Sequence, residues 1–209
     1  MEDVLHLYQQ PLDAKRPVIC FDEMPVQLLD EVVAPLPMKA DRPARVDYEY
    51  ERGGVANLLV AIEPLTGKRV VETSQHRTKA DYCRFQQRVA ATWPDAEKIV
   101  LVQDNLNTHN ASSFYENLSA VEAFVLAQRF EMHYTPKKGS WLHMAELELS
   151  AISRICLSRR IANVERLDVE VQALIKERND LKIKVEWQFS IVQARAKLSR
   201  HYEKVKSKN

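Results

Sequence analysis

Three acidic residues in this chain sit where a charge is costly. Asp22 closes the apolar run Val18-Ile19-Cys20-Phe21, Asp104 closes Ile99-Val100-Leu101-Val102-Gln103, and Glu146 lies in an amphipathic stretch opened by Ser140-Trp141-Leu142. Short apolar runs rich in β-branched residues read as buried strands, and an acid at the end of one is unfavourable unless something pairs with it. A divalent cation would do so. Two carboxylates from adjacent strand ends and a third from a helix offer hard oxygen ligands, and the ions they hold activate water and clamp phosphoryl oxygens. The three carboxylates are therefore expected to converge within bridging reach of metal, and the chemistry they suggest is metal-dependent phosphoryl transfer on nucleic acid.

The elements that must position these acids follow from the pattern. Residues 1–16 carry no strong periodicity and read as a loose lead-in, with order beginning near Pro17. Pro25, Pro35, Pro37 and Pro43 make 25–45 an extended excursion open to a partner. Gly53-Gly54 opens an apolar strand to Ile62, and Pro64-Leu65-Thr66-Gly67 turns it into a second strand from Arg69, a hairpin. Thr78 and Asp81 resemble a capping box, with Tyr82, Phe85, Val89 and Trp93 at helical spacing until Pro94. After Asp104 a single helix is expected, with Phe114, Leu118, Val121 and Val125 on one face, then a short strand Phe130-Glu131-Met132-His133-Tyr134. His133 alternates within that strand, and no metal role is assigned to it. This order suits a mixed sheet flanked by helices, the later strands parallel because helical crossovers join them.

Residues 140–160 read as one helix, which bears on the third acid. At about 100° per residue, Glu146 falls about 40° from Leu142 on a stripe with Ala145, Leu149, Ile152 and Cys156, and is expected to face inward. Glu148 lies about 200° from Glu146, on a margin near Met144 and Ile155. Apolar residues occupy much of this circumference, so geometry leans toward Glu146 without settling the choice. A further helix starts after Asn163, with Leu167, Val171, Leu174 and Ile175 as its apolar side.

Composition bounds the reading. A chain of 209 residues, 45% hydrophobic and 28% charged, supports one globular domain with an appendage. No apolar run is long enough for a bilayer and the N-terminus lacks a signal-peptide pattern, so a cytoplasmic protein is expected. Cys20, Cys83 and Cys156 have no ligand spacing and read as buried free thiols. The net charge of +1 hides an asymmetry: residues 151–209 hold 14 Lys and Arg against 7 Asp and Glu, while the remainder holds 16 against 22. A basic tail with Arg195, Lys197, Arg200, Lys204, Lys206 and Lys208 attracts a phosphate backbone or simply solvates a helix end, and charge alone fits both.

The strings Cys20-Phe21-Asp22-Glu23-Met24-Pro25, Gln103-Asp104-Asn105-Leu106-Asn107-Thr108-His109 and Tyr134-Thr135-Pro136-Lys137-Lys138-Gly139-Ser140-Trp141-Leu142 through Ala145-Glu146 resemble the catalytic domain of mariner-like bacterial insertion-sequence transposases of the DDE endonuclease superfamily. Tyr48 to Gly54, Glu63 to Lys68 and the stretch from Trp187 to Leu198 extend the likeness over nearly the whole chain. Each motif is weak alone, and their order is the specific signal. The resemblance implies an α/β, RNase H-like fold with a mixed five-stranded sheet flanked by helices, a catalytic domain over 17–160 and a helical basic C-terminal extension over 161–209. It implies two Mg²⁺ or Mn²⁺ ions on Asp22, Asp104 and Glu146, and cleavage and strand transfer at element ends. The implied partners are DNA, as terminal inverted repeats and target, and a second copy of the chain, with nucleoid association when bound.

Two departures from the family pattern stand out. His143 occupies a position usually held by Asn, one helical turn before Glu146, where it can bond a carboxylate, touch metal or hinder the site. We read it as orienting the ligands, with its protonation weakening cation binding as pH falls through its pKa. Only a short lead-in precedes Asp22, where relatives carry helix-turn-helix modules, so a separately encoded recognition part is expected. Asn105 and His109 are placed around the ligands, although capping or packing fits His109 equally. Lys137 and Lys138 are placed on DNA phosphates with Arg195, Lys197 and Arg200. Glu23 points to the opposite face of its strand and reads as structural or peripheral, and Trp141 reads as core rather than as a stacking platform. A catalytically defective remnant that binds DNA or dimerises, and a generic RNase H-like nuclease, are the competing functions.

Overall fold

The computed structural model describes residues 1–137 and 139–206, so the expected role of Lys138, like that of Lys208, lies outside the described residues, as do the side chains of His201 and residues 204–206. Strand β1 (Val18–Glu31) runs well past its apolar opening. Val18, Ile19 and Cys20 pair in parallel with Val100, Leu101 and Val102 of β4 (Ile99–Gln103), while β2 (Tyr50–Glu63) pairs antiparallel along the length of β1. Beyond Cys20 one edge of β1 therefore has no strand beside it. Pro25 is tolerated in β1 for that reason, since a strand with a free edge can lose an N–H without losing a ladder bond. Asp22 lies within β1, where its β4 neighbour ends, and not at a strand terminus as expected.

Strands β3 (Lys68–Ser74) and β5 (Phe130–Tyr134) complete a sheet of order β3-β2-β1-β4-β5. The first three strands are antiparallel and β1, β4 and β5 are parallel, which is the mixed five-stranded sheet of an RNase H-like fold. Helix α2 (Lys79–Thr92) starts with the expected Thr78–Asp81 capping box and carries the chain from β3 to β4. Between β4 and β5 there are two helices rather than one, α3 (Ser112–Asn117) and α4 (Ala120–Arg129). Ser119 and Glu122 form a second capping box that restarts the helix in a new phase. Ala123 and Leu126 are consequently buried, whereas Val121 and Val125 are 74% and 60% exposed.

Side chains alternate across the sheet. Ile19, Phe21 and Leu59 face Tyr82, Phe85 and Val89 of α2, and Val26, Leu58 and Val71 face α5 (Met144–Cys156) and α6 (Val164–Asp180). A single 3₁₀ turn, Ser140–Leu142, precedes α5, so the expected continuous helix from Ser140 is broken at His143. Helix α6 packs its expected face, Leu167, Val171, Leu174 and Ile175, into the core. All three cysteines are buried and free.

The lead-in is ordered. Helix α1 (Glu2–Tyr8) buries Val4, Leu5 and Tyr8, and the Tyr8 hydroxyl donates to the Leu142 carbonyl at 2.9 Å. About two turns are too short to display a clear period, and burial comes from Met144 and Ala145 of α5 for Val4 and Tyr8, and from Leu142 for Leu5. Helices α7 (Ile191–Lys197) and α8 (Ser199–Lys206) close the chain, with Ala194 packed on Leu5 and Leu142. The excursion expected over 25–45 begins only at residue 32, because 25–31 belong to β1, and it runs on to residue 49 with Met38 and Tyr48 exposed. Among the described residues no helix is long and apolar enough to cross a membrane.

Candidate active site

Asp22, Asp104 and Glu146 line one cleft of about 990 Å³, together with Asn105, Lys137, Ser140, His143 and Arg154. Asp22 reaches it because it shares the Cys20 face of β1 at the point where β4 no longer covers that edge. Burial pushes the Asp22 carboxyl up, repulsion from Asp104 and Glu146 adds to this, and the hydrogen bond from the Glu23 amide opposes it, leaving a pKa of about 7. Glu146 stands exposed in the first turn of α5. It faces the cleft and not the core, contrary to the inward placement expected from the apolar stripe.

Glu148, expected on a margin, is the buried glutamate. Nε and Nη2 of Arg178 donate to its two oxygens at 2.8 and 2.9 Å, and Arg69 Nε lies 3.1 Å from Oε1. Arg69 comes from β3 and Arg178 from α6. This ion cluster fixes the roll of α5 and thereby turns Glu146 to the cleft.

Asp104 follows β4 directly and is turned toward His109, whose Nδ1 stands 2.5 Å from its Oδ1. That hydrogen bond holds the Asp104 carboxyl below the usual carboxylate range. His109 is buried between Phe21 and Tyr82, with ring centroids 5.1 and 5.0 Å away. Burial disfavours its charge, but Asp104 and Glu23 outweigh that and lift it to about 9, so His109 is an imidazolium donating to Asp104. Glu23 Oε1 faces its other nitrogen at 3.7 Å and Arg77 Nε at 3.6 Å. Of the structural and peripheral readings of Glu23, the structural one fits: from the opposite face of β1 it stands behind the cleft beside the histidine that holds Asp104.

His143 ties α5 to β1. Its Nε2–H donates to the Phe21 carbonyl at 2.6 Å and lies 3.8 Å from Asp22 Oδ2. Burial lowers its pKa to about 4, so the ring is neutral near pH 7. Gln103 escaped the sequence reading: wholly buried, it accepts from the Tyr82 hydroxyl at 2.9 Å and donates to the His109 carbonyl at 2.9 Å. Its signal was a lone amide inside an apolar strand.

Among the described residues, no three His, Cys, Asp or Glu side chains stand close enough to hold one ion between them, so the acids share a cleft without reaching the bridging separation expected. The donor set nevertheless suits a hard divalent cation. It is all carboxylate, and the raised Asp22 is a group that a cation would return to its charged form. The basic residues are dispersed. Lys137 lines the cleft, Arg195 is engaged by Glu2 through two hydrogen bonds of 2.8 and 2.7 Å, Lys197 lies over Phe189, and Arg200 is exposed.

Acids from β1, from the residue after β4 and from the start of α5 thus line one cleft beside a mixed five-stranded, RNase H-like sheet. Residues 17–168 match the DDE superfamily endonucleases, and the chain belongs to that family. Three solved structures share the fold. The Mos1 mariner paired end complex with Mn aligns at TM-score 0.56 and 15% identity over 87% of this chain and 54% of that one. The paired end complex with Mg aligns at 0.54 and 16%, covering 86% and 53%, and the Mos1 strand transfer complex at 0.53 and 15%, covering 87% and 54%. The chain thus spans about half the length of these relatives. No curated protein matches it.

Proposed function

We propose that this chain is the catalytic domain of a DNA transposase, cutting DNA and joining the freed end to a target. The observation that carries the reading is the sharing of one cleft by Asp22, Asp104 and Glu146, delivered by three separate elements. These residues would hold Mg²⁺ or Mn²⁺, the ions named for the two Mos1 paired end complexes. Bound there, divalent metal supplies activation of a water or a 3′-hydroxyl and neutralisation of the leaving oxygen. His109 keeps Asp104 ionised and oriented, and His143 ties the start of α5 to the backbone beside Asp22. Lys137, and Lys138 beside it in sequence, contact the phosphate backbone, with Lys197 and Arg200 farther along the chain. Arg195 does so only by leaving Glu2. Terminal-repeat DNA, a second copy of the chain and a helix-turn-helix recognition part are the partners this reading implies.

The test uses supercoiled plasmid and a labelled duplex with a free 3′-hydroxyl, incubated with the protein and Mg²⁺ or Mn²⁺. Wild type should nick the plasmid and join the duplex to it. Asp22→Asn, Asp104→Asn and Glu146→Gln should each lower both products at least a hundredfold, a loss of ~2.7 kcal/mol in transition-state stabilisation. Nicking without joining would favour a generic nuclease, and no metal-dependent product from wild type would favour a defective remnant.

A further inference from the structure

Tyr8 joins β1 to the start of α5 from a helix outside the cleft. Its ring is buried with Cys20, Met144 and Ala145, and Trp187 meets it edge-on, with centroids 5.2 Å apart and an interplanar angle of 60°. The hydroxyl is used twice. It donates to the Leu142 carbonyl at 2.9 Å and accepts from Cys20 Sγ at 3.6 Å. Cys20 stands two residues before Asp22 on the same face of β1, and Leu142 stands one residue before His143, the N-cap of α5. The 3₁₀ turn is anchored at Leu142, which is wholly buried, whereas Trp141, expected in the core, is 49% exposed. His143 points its ring at the Phe21 carbonyl and gives α5 no side-chain cap. The start of α5 is therefore tied to β1 by His143 and, through its hydroxyl, by Tyr8.

We propose that Tyr8 is a positioning residue for the metal-binding carboxylates, its hydroxyl fixing the offset between Asp22 on β1 and Glu146 on α5. A phenyl ring would fill the same space, so packing does not require the oxygen. What the oxygen adds is a set distance between two backbones. Carboxylates delivered by separate elements hold a cation only at the right spacing, and groups behind the ligands set that spacing. A slip of about 1 Å in a reacting site costs on the order of a hundredfold in rate. Cys20 and Leu142 are wholly buried, so water does not compete for the bridge and the low local dielectric strengthens it. The inference rests on the reading of the cleft as a divalent-metal site.

The probe is Mn²⁺, titrated into the protein without DNA and followed by the electron paramagnetic resonance of the free ion. Amide hydrogen exchange over residues 140–148 is a second readout that needs no metal. Wild type should bind Mn²⁺, and Asp22→Asn should lose that binding. Tyr8→Phe should weaken Mn²⁺ binding about tenfold and speed exchange at the start of α5 about tenfold, through the loss of one buried hydrogen bond. Val4→Ala trims apolar contact from the same helix and keeps the hydroxyl, so it should lower the melting temperature and retain wild-type affinity. Adding Cys20→Ala to Tyr8→Phe should weaken affinity no further, because both changes act through one oxygen. Melting curves confirm that each variant is folded. Wild-type affinity in Tyr8→Phe, or an equal loss in Val4→Ala, would overturn the bridge and leave the metal reading standing. Faster exchange in Tyr8→Phe without Asp22-dependent Mn²⁺ binding in wild type upholds the bridge and overturns the metal reading.

Discussion

Replacing Glu148 by glutamine would leave two guanidinium groups facing an uncharged amide inside the protein. The Glu148 side chain and that of Arg69 are 0% exposed, and that of Arg178 is 13% exposed. Removing one partner from such a buried cluster strands the remaining charges and costs ~3–5 kcal/mol, a large part of the ~5–15 kcal/mol that stabilises a domain. With a urea dependence of about 2 kcal/mol per molar, the unfolding midpoint of Glu148→Gln should fall by roughly 2 M. Glu146→Gln, two residues away on the cleft, should stay within ~0.5 kcal/mol of wild type. Urea titration followed by circular dichroism separates the two glutamates without any activity assay. Adding Arg69→Met to Glu148→Gln should cost less than the two single changes summed, because the pair belongs to one cluster. The reasoning fails if Glu148→Gln unfolds within ~0.5 kcal/mol of wild type, or if Glu146→Gln is the more destabilised of the two.

Two further predictions concern pH, with stability measured in the absence of divalent metal and nicking in its presence. The Asp22 pKa rises from 3.8 to about 7 on folding, so its contribution is complete below pH 4 and is lost as pH rises toward 7. Asp22→Asn should remove that loss, worth up to ~4 kcal/mol, in unfolding experiments with chelator, and parallel pH curves for the two proteins would contradict it. His143 behaves oppositely: its pKa falls from 6.5 to about 4, so stability present above pH 6.5 is lost as pH falls toward 4. His143→Asn should flatten that acid-side loss while leaving the shape of the nicking profile between pH 6 and 8 unchanged, and a shifted profile in that range would show that the ring titrates in the working enzyme. The two trends oppose each other across one window, so each is read as a difference between wild type and variant.

Sequence alone determined whatever depends on neighbours along the chain. The β4 run ending at Asp104, the Thr78–Asp81 capping box, the hairpin turned at Gly67 and the Asn163 cap of α6 are set by local sterics and hydrogen bonds, and all were legible. So were Asp22, Asp104 and Glu146 as a group, because acids beside apolar strands stand out by type and order. The roles of particular side chains required contacts between distant segments. Helix α5 carries apolar residues around most of its surface, and only the arrival of Arg69 from β3 and Arg178 from α6 decided that Glu148 goes inward and Glu146 faces the cleft. Helix α1 was missed because so short a helix is held by its partners, Met144 and Ala145 over Val4 and Tyr8, and Leu142 and Ala194 over Leu5. His109 and His143 are both buried histidines near the acids, yet one is charged beside Asp104 and the other neutral against a carbonyl. Charge state follows the three-dimensional partner, which no local spacing encodes.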